Sequence, residues 1–333
     1  MVNRQVGEAF VLLGDAPSRM RFRPIPEGDA VVRSRYRPDA PGTTRYTEGV
    51  DYAVDYEQGT IRRIPGGRIP DGTQHPMYGV DRFDHLLYPD FSNRDFTVYV
   101  DYSSVAPVSD RWPSADDVAR SGLLERTVGK LSSGEEALYI VYGDSISAGG
   151  DASDASLAYY GRFAKLLGEL FPEGRLRVEN RSISGETSGG GALRVMDDVV
   201  SLRPDLVTIG YGMNDQNLYE HGLCTPLALF ERNMRTIVEA VRTEAGSDVL
   251  LVTSCEPNPR WRHSSGEQSR FSETILRLAQ ELGVGAANAH ARWLEELQAG
   301  KTPESLLLNN INHPNDYGHW VYFQAFLRLF RAG

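Results

Sequence analysis

From Glu136 onward, short apolar runs alternate with stretches of helical periodicity. A chain with that alternation is constrained to βαβ units around a parallel sheet. The runs are Ala137 to Tyr142, Leu176 to Asn180, Leu206 to Gly210, Val249 to Thr253 and Val284 to Asn288. Strands buried on both faces read as continuous apolar runs rather than alternating ones. Helical patterns lie between them at about Ser156 to Leu170, Gly191 to Leu202, Pro226 to Glu244 and Ser269 to Leu282, with a last one from about Tyr317 to Phe330. This predicts an α/β domain, a three-layer flavodoxin-like sheet in strand order 2-1-3-4-5.

The first hundred residues differ. Gly, Pro and Asp turn signals separate short segments rich in Val, Tyr, Arg and Thr, predicting strands at Ala30 to Tyr36, Asp51 to Tyr56, Thr60 to Ile64 and Phe96 to Tyr102. Glu57-Gln58-Gly59 reads as a hairpin loop. The spacing suits a jelly-roll-like β-sandwich. The stretch Ser103 to Pro113 reads as a connector and a linker helix is expected over about 115–131, so the boundary is expected between an accessory domain, 1–113, and a second domain, 114–333. There is no internal repeat or low-complexity segment.

A chain of 333 residues with 41% hydrophobic residues can bury two cores. Its net charge of -10, without a basic run, argues against a nucleic-acid partner. The stretch Ala9 to Leu13 is too short for a secretory signal core, and no run of eighteen apolar residues suggests a membrane span. Two cysteines, Cys224 and Cys255, supply neither a disulfide framework nor a zinc site, so a cytoplasmic location is expected.

Ligands of open α/β sheets bind beyond the carboxyl ends of the strands. Gly143-Asp144-Ser145-Ile146 follows the first run, presenting a hydroxyl there. After the second comes Asn180 to Thr187 with Gly185, where no side chain blocks a backbone N–H. After the third comes Gly210-Tyr211-Gly212-Met213-Asn214-Asp215, offering an amide donor. The final block, Asn310-Ile311-Asn312-His313-Pro314-Asn315-Asp316, supplies a base. Acyl transfer through serine needs a nucleophile, a base and oxyanion donors. Asp144 and Asp215 read as loop or capping acids. His319 reads as structural, since no further ligand cluster accompanies it. Trp261 and Arg262 are either pocket-lining or ordinary loop residues. The aromatics of the first half, Tyr36, Tyr46, Tyr52, Tyr56, Tyr78, Phe83, Tyr88 and Tyr99, read as core before sugar-stacking residues.

Taken together, Gly143-Asp144-Ser145, Gly185, Gly212-Met213-Asn214-Asp215 and His313-Pro314-Asn315 make the chain resemble the SGNH, or GDSL-type, hydrolases over about Glu136 to Ala332. The resemblance implies that Ser145 attacks an ester carbonyl with His313 as general base. It also implies an oxyanion hole made by the Ser145 and Gly185 N–H groups and the Asn214 side chain, with no metal or organic cofactor. Members with an added β domain are often esterases that remove acetyl groups from carbohydrates. The expected partner is therefore a small-molecule or oligosaccharide ester, with no nucleic acid and no membrane. A lipid-directed acylhydrolase, lysophospholipase or thioesterase, and a catalytically impaired carbohydrate-binding protein, are the alternatives.

One position departs from the pattern. The family's usual aspartate, three residues before the histidine, is here Asn310. An amide can orient an imidazole but cannot stabilise its charge. Three arrangements answer this: a Ser145-His313 dyad with the ring held by Asn310 or a backbone carbonyl such as that of Ile311; a relocated carboxylate, Glu256 or Asp316; or lost activity.

Overall fold

The computed structural model describes residues 4–24 and 29–330. The chain divides into two compact units: Met1–Arg111 with Pro257–Arg262 and Trp293–Gly318, and Trp112–Glu256 with His263–Arg292 and His319–Gly333. Residues 331–333, the end of the stretch resembling the hydrolases, lie outside the described residues.

In the first unit, β1 (Arg4–Val11), β2 (Ser18–Arg19), β3 (Val31–Arg33), β4 (Tyr52–Asp55), β5 (Thr60–Arg63) and β6 (Thr97–Ser103) form two antiparallel sheets, ordered β1-β6-β3 and β2-β5-β4. One apolar cluster draws on both, joining Phe10, Val32, Val98 and Val100 to Tyr52 and Ile61. The expected hairpin closes at Gly59, which has φ +67 and donates to Asp55 O at 2.8 Å. Of the aromatics weighed for sugar stacking, Tyr36, Tyr46, Tyr52, Phe83 and Tyr99 are buried, whereas Tyr78 is exposed. Strand β1 has no counterpart among the expected segments.

In the second unit the expected single linker helix is two, α1 (Ala115–Arg120) and α2 (Glu125–Ser132). Ser114 and Asp117 form a capping box that starts α1. Gly122, at φ +66, turns the chain between the helices, a conformation costly for other residues. There follow β7 (Glu136–Gly143), α3 (Tyr159–Leu170), β8 (Arg175–Asn180), α4 (Ser188–Asp198), β9 (Leu206–Gly210), a ribbon of β10 (Leu218–Tyr219) and β11 (Gly222–Leu223), α5 (Leu227–Glu244), β12 (Asp248–Val252), α6 (Gln268–Leu282) and β13 (Gly285–Ala287). Helices α7 (Ala289–Gln298), α8 (Pro303–Leu306) and α9 (Asp316–Leu329) complete the chain; α7 and α8 were not foreseen.

The five-stranded parallel sheet has order β13-β12-β9-β7-β8, the expected 2-1-3-4-5 read from its other edge. Alternate side chains of β7 enter different layers. Leu138, Ile140 and Tyr142 pack with Val195 of α4, Phe230, Met234 and Ile237 of α5, and Phe271 of α6. Tyr139 meets Phe163 of α3 edge-on at 6.1 Å, and Phe163 meets Phe326 of α9 at 4.6 Å. Buried Asp205 ties α2 to the sheet. It accepts from Arg126 Nε at 2.7 Å, Lys130 Nζ at 2.9 Å and Leu138 N at 2.8 Å. Burial opposes its ionisation, yet these donors hold its pKa below the usual carboxylate range.

Candidate active site

Close approach of bare backbone makes the turn after β7 possible. Gly143 lies opposite Gly210 of β9. A Cβ added to Gly143 would stand 2.2 Å from Gly210 O, and one added to either glycine would stand 2.6 Å from Ser147 Oγ. The chain therefore folds back over two strand ends without side chains. Ser147 Oγ lies 2.8 Å from Tyr159 OH. Asp144 makes the turn, its Oδ1 accepting from Ile146 N at 3.0 Å and its carbonyl from Ala148 N at 2.9 Å. Ser145 sits inside this turn with 3% of its surface exposed, and Gly150 N donates to its carbonyl at 2.8 Å.

The neighbouring strands deliver their loops to the same edge. Ile183 N donates to Gly143 O at 2.9 Å, and Asn180 Nδ2 donates to Ser147 O at 2.8 Å. These bonds fasten the Gly185 loop beside the serine turn. Gly185 is exposed with φ +79. From the β9 side, Asn214 is 8% exposed, and its Nδ2 donates to Glu186 O at 2.9 Å. One N–H of that amide thus fixes the Gly185 loop, and an NH2 group carries a second. Asp215 is a positioning acid: its carboxylate accepts from Ser188 N at 3.1 Å and Ser188 Oγ at 2.7 Å at the start of α4. Burial raises its pKa against those bonds. Glu186 is clamped by Arg194 Nε at 2.8 Å and Tyr211 OH at 2.7 Å, while the Arg194 guanidinium lies 4.2 Å over the Tyr142 ring. Nothing in the sequence pattern singled out Glu186 and Arg194.

In the first unit, the segment carrying His313 is organised by asparagines. Asn309 Oδ1 accepts from the backbone N–H groups of Ile311, Asn312 and His313 at 3.0, 2.9 and 2.8 Å. His313 O accepts from Leu308 N at 2.9 Å. Asn310 is 3% exposed and adopts φ +59. Its Oδ1 accepts from Asn93 Nδ2 at 3.2 Å and Asn258 Nδ2 at 3.0 Å, which engages both lone pairs. Ile311 O accepts from Asn258 N at 2.7 Å. The three asparagines border a cavity of about 450 Å³ whose walls include Val11, Met77 and Arg260. Asp316 is buried in the first turn of α9.

Glu256, in the second unit, lies 2.6 Å from His290 Nε2. His290 escaped sequence reading because its partner is 34 positions away and neither sits in a motif. His319 is structural: Nδ1 accepts from Tyr159 N at 3.3 Å, so Nε2 is the atom that donates to Gly150 O at 3.1 Å. Trp261 is part of a buried cluster with Met77, Phe83 and Ile311, and Arg262 pairs with Asp84 at 2.6 Å. The Cys255 thiol is fully buried, which pushes its pKa up and keeps it unreactive.

A serine in a tight turn at a parallel sheet's carboxyl edge, flanked by a glycine loop and an amide donor fastened to it, is an arrangement for acyl transfer. Residues 141–321 match the model of the GDSL-like Lipase/Acylhydrolase family, and the chain belongs to that family. It is a carboxylic ester hydrolase. Among its relatives is an acetylxylan esterase of Geobacillus stearothermophilus, 27% identical over 216 residues, spanning 60% of this chain and 95% of the relative. Another is Esterase TesA of Pseudomonas aeruginosa, 36% identical over 127 residues, spanning 37% of this chain and 58% of the relative. The crystal structure of the Geobacillus esterase Axe2 superposes with a TM-score of 0.50 at 24% identity, covering 59% of this chain and 95% of that one. A two-domain esterase active on acetylated mannans superposes with a TM-score of 0.51 at 22% identity, covering 62% of this chain and 52% of that one. These superpositions speak to the fold alone.

Proposed function

We propose that this enzyme removes acetyl groups from carbohydrates through a serine acyl-enzyme. The observation that carries the reading is the match to an acetylxylan esterase over 95% of that relative's length, together with the serine turn and its flanking donors. Ser145 Oγ attacks the acetyl carbonyl carbon while His313 takes its proton. The oxyanion is received by the N–H groups of Ser145 and Gly185 and by Asn214 Nδ2. Collapse breaks the ester bond, the sugar hydroxyl leaves with the proton from His313, and water repeats the sequence to release acetate. The pairing of Ser145 with His313 rests on the family match, which spans both.

The third group is where this chain differs. The Asn310 oxygen is engaged by two amides and Glu256 by His290, which disfavours both as the third group and leaves a dyad or Asp316. In this reading Asn309 takes over the work of shaping the histidine turn. The hydrolase machinery then spans residues 114–333, of which 257–262 and 293–318 pack within the first unit, and 1–113 form an accessory β-sandwich. The common apolar cluster of its two sheets supports the sandwich.

The test is a panel of acetylated oligosaccharides and p-nitrophenyl esters of rising chain length, with Ser145→Ala alongside. Wild type is expected to turn over acetyl esters best. Ser145→Ala should lose at least three orders of magnitude in kcat with an unchanged circular dichroism spectrum. A marked preference for long acyl chains, or near-normal turnover by the variant, refutes the reading.

A further inference from the structure

The loop that carries Asn214 continues into the β10–β11 ribbon, which ends in aromatic rings facing solvent. Tyr219 is 40% exposed. Its ring lies 5.8 Å from that of His221 with 5° between the planes, and 4.8 Å from that of His263 at 41°. Gly222, at φ +109, closes the turn between the strands. Exposed aromatic rings on a loose loop would be unremarkable, but this ribbon is held at several points. Leu218 N donates to His263 O at 2.8 Å, and His263 Nδ1 donates to Leu218 O at 3.0 Å. Cys224 N donates to Asn217 O at 2.8 Å, and Asn217 N donates to Asn214 O at 3.3 Å. Gln216 Oε1 accepts from Ser265 N at 3.1 Å and Ser265 Oγ at 2.7 Å. A three-ring surface is therefore fixed to the backbone of the proposed oxyanion donor, without the ordering cost of a mobile loop.

We propose that Tyr219, His221 and His263 form a binding platform for a pyranose ring of the substrate, which rests on the carbohydrate-esterase reading above. The chemistry of the rings selects the ligand. Phenol and imidazole each offer an apolar face with a polar edge. A pyranose presents C–H groups on its face and hydroxyls around its rim, so the ring faces meet its carbons while His263 Nε2, the His221 nitrogens, the phenol and Glu220 at the tip meet its hydroxyls. An acyl chain has no use for such a polar rim. The platform belongs to the sugar side of the ester bond.

The experiment compares wild type, Tyr219→Ala and Tyr219→Trp on p-nitrophenyl acetate and on partially acetylated xylo- and mannooligosaccharides. Loss of one aromatic contact should raise KM on the oligosaccharides roughly three- to tenfold. The readout is the ratio of losses in kcat/KM, expected to be at least about threefold greater on sugar than on aryl ester, with Tyr219→Trp restoring the oligosaccharide KM. Ser145→Ala protein titrated with unacetylated xylo- and mannooligosaccharides should show their shifts at the Tyr219 ring by NMR. Equal losses on the two substrate types, or a loss confined to kcat, overturn the platform while leaving the carbohydrate reading intact. A wild-type enzyme that hydrolyses the aryl ester but none of the acetylated sugars overturns both.

Discussion

Replacing Asn310 separates structural support from catalysis at the position where this chain departs from its family. Asn310→Ala removes two accepted hydrogen bonds, from Asn93 Nδ2 and Asn258 Nδ2, at a site only 3% exposed. Each is worth about 1 kcal/mol. Both donors keep other acceptors: Asn93 Nδ2 donates to Leu307 O at 2.8 Å, and Asn258 Nδ2 to Asn310 O at 3.0 Å, so neither is orphaned. Alanine must also hold φ +59, which costs an L-residue about 1 kcal/mol or more beyond asparagine. The sum is about 3 kcal/mol, read as a drop in Tm of roughly 5–10 °C. Asn310→Gly removes the same hydrogen bonds but not the backbone freedom, so it should lose only about 2 kcal/mol. Turnover is the second readout. In the dyad reading, the Asn310 oxygen is taken up by two amides and does not orient the His313 ring. Well below Tm, Asn310→Ala should lose less than about tenfold in kcat, and Asn310→Asp should gain no more than about twofold. Thermal unfolding and kcat on p-nitrophenyl acetate measure the two effects separately. A tenfold faster Asp variant would show that a carboxylate there reaches the imidazolium, and an alanine variant as stable as wild type would remove the case for the amide network.

Asn214→Ala should lower kcat by about two to three orders of magnitude with a smaller change in KM, because it deletes an oxyanion donor. A change confined to KM would reassign Asn214 to substrate contact. Asp51 supplies a pH test. Hydrogen bonds from Arg68 and Thr47 hold its carboxyl well below the usual range despite burial. Its contribution is therefore present above the unfolded pKa, about 4, and is lost as pH falls through the lower folded value. The Tm gap between wild type and Asp51→Asn should narrow steadily as pH falls below about 4, and a constant gap in scanning fluorimetry would contradict the assignment.

What the sequence made legible follows from where each signal is stored. The runs at 137–142 and 206–210 are buried on both faces, so their composition alone announces a central parallel strand. Strand β1 hides because Gln5 and Glu8 are buried within it and the register shifts between them. Glu8 is neutralised by Lys301, which donates to Ala9 O at 2.9 Å and sits over the Phe10 ring. Burial lowers the Lys301 pKa, so the ammonium depends on that carboxylate. A charge whose partner lies almost three hundred positions away reads as exposed in any local window. The same distance hid the membership of the 257–262 and 293–318 segments in the first unit.

The candidate site divides along the same line. Ser145, Gly185 and Asn214 could be named because each follows the end of its own strand, and sheet order alone makes those ends neighbours. Their supports could not. Arg194 reads as an ordinary helix-face arginine until Glu186 and Tyr211 are seen around it. Asn310 looked like a weakened aspartate because the family motif supplied the comparison. In the fold it is an αL residue wedged between two amides, and asparagine is the non-glycine residue best suited to both demands. An aspartate there would place a second carboxylate oxygen where only 3% of the residue meets solvent, at a position where asparagine already satisfies both facing amides. The departure from the family pattern is thus consistent with local packing, and it shifts the burden of holding the histidine turn to Asn309, whose single oxygen gathers three consecutive backbone N–H groups.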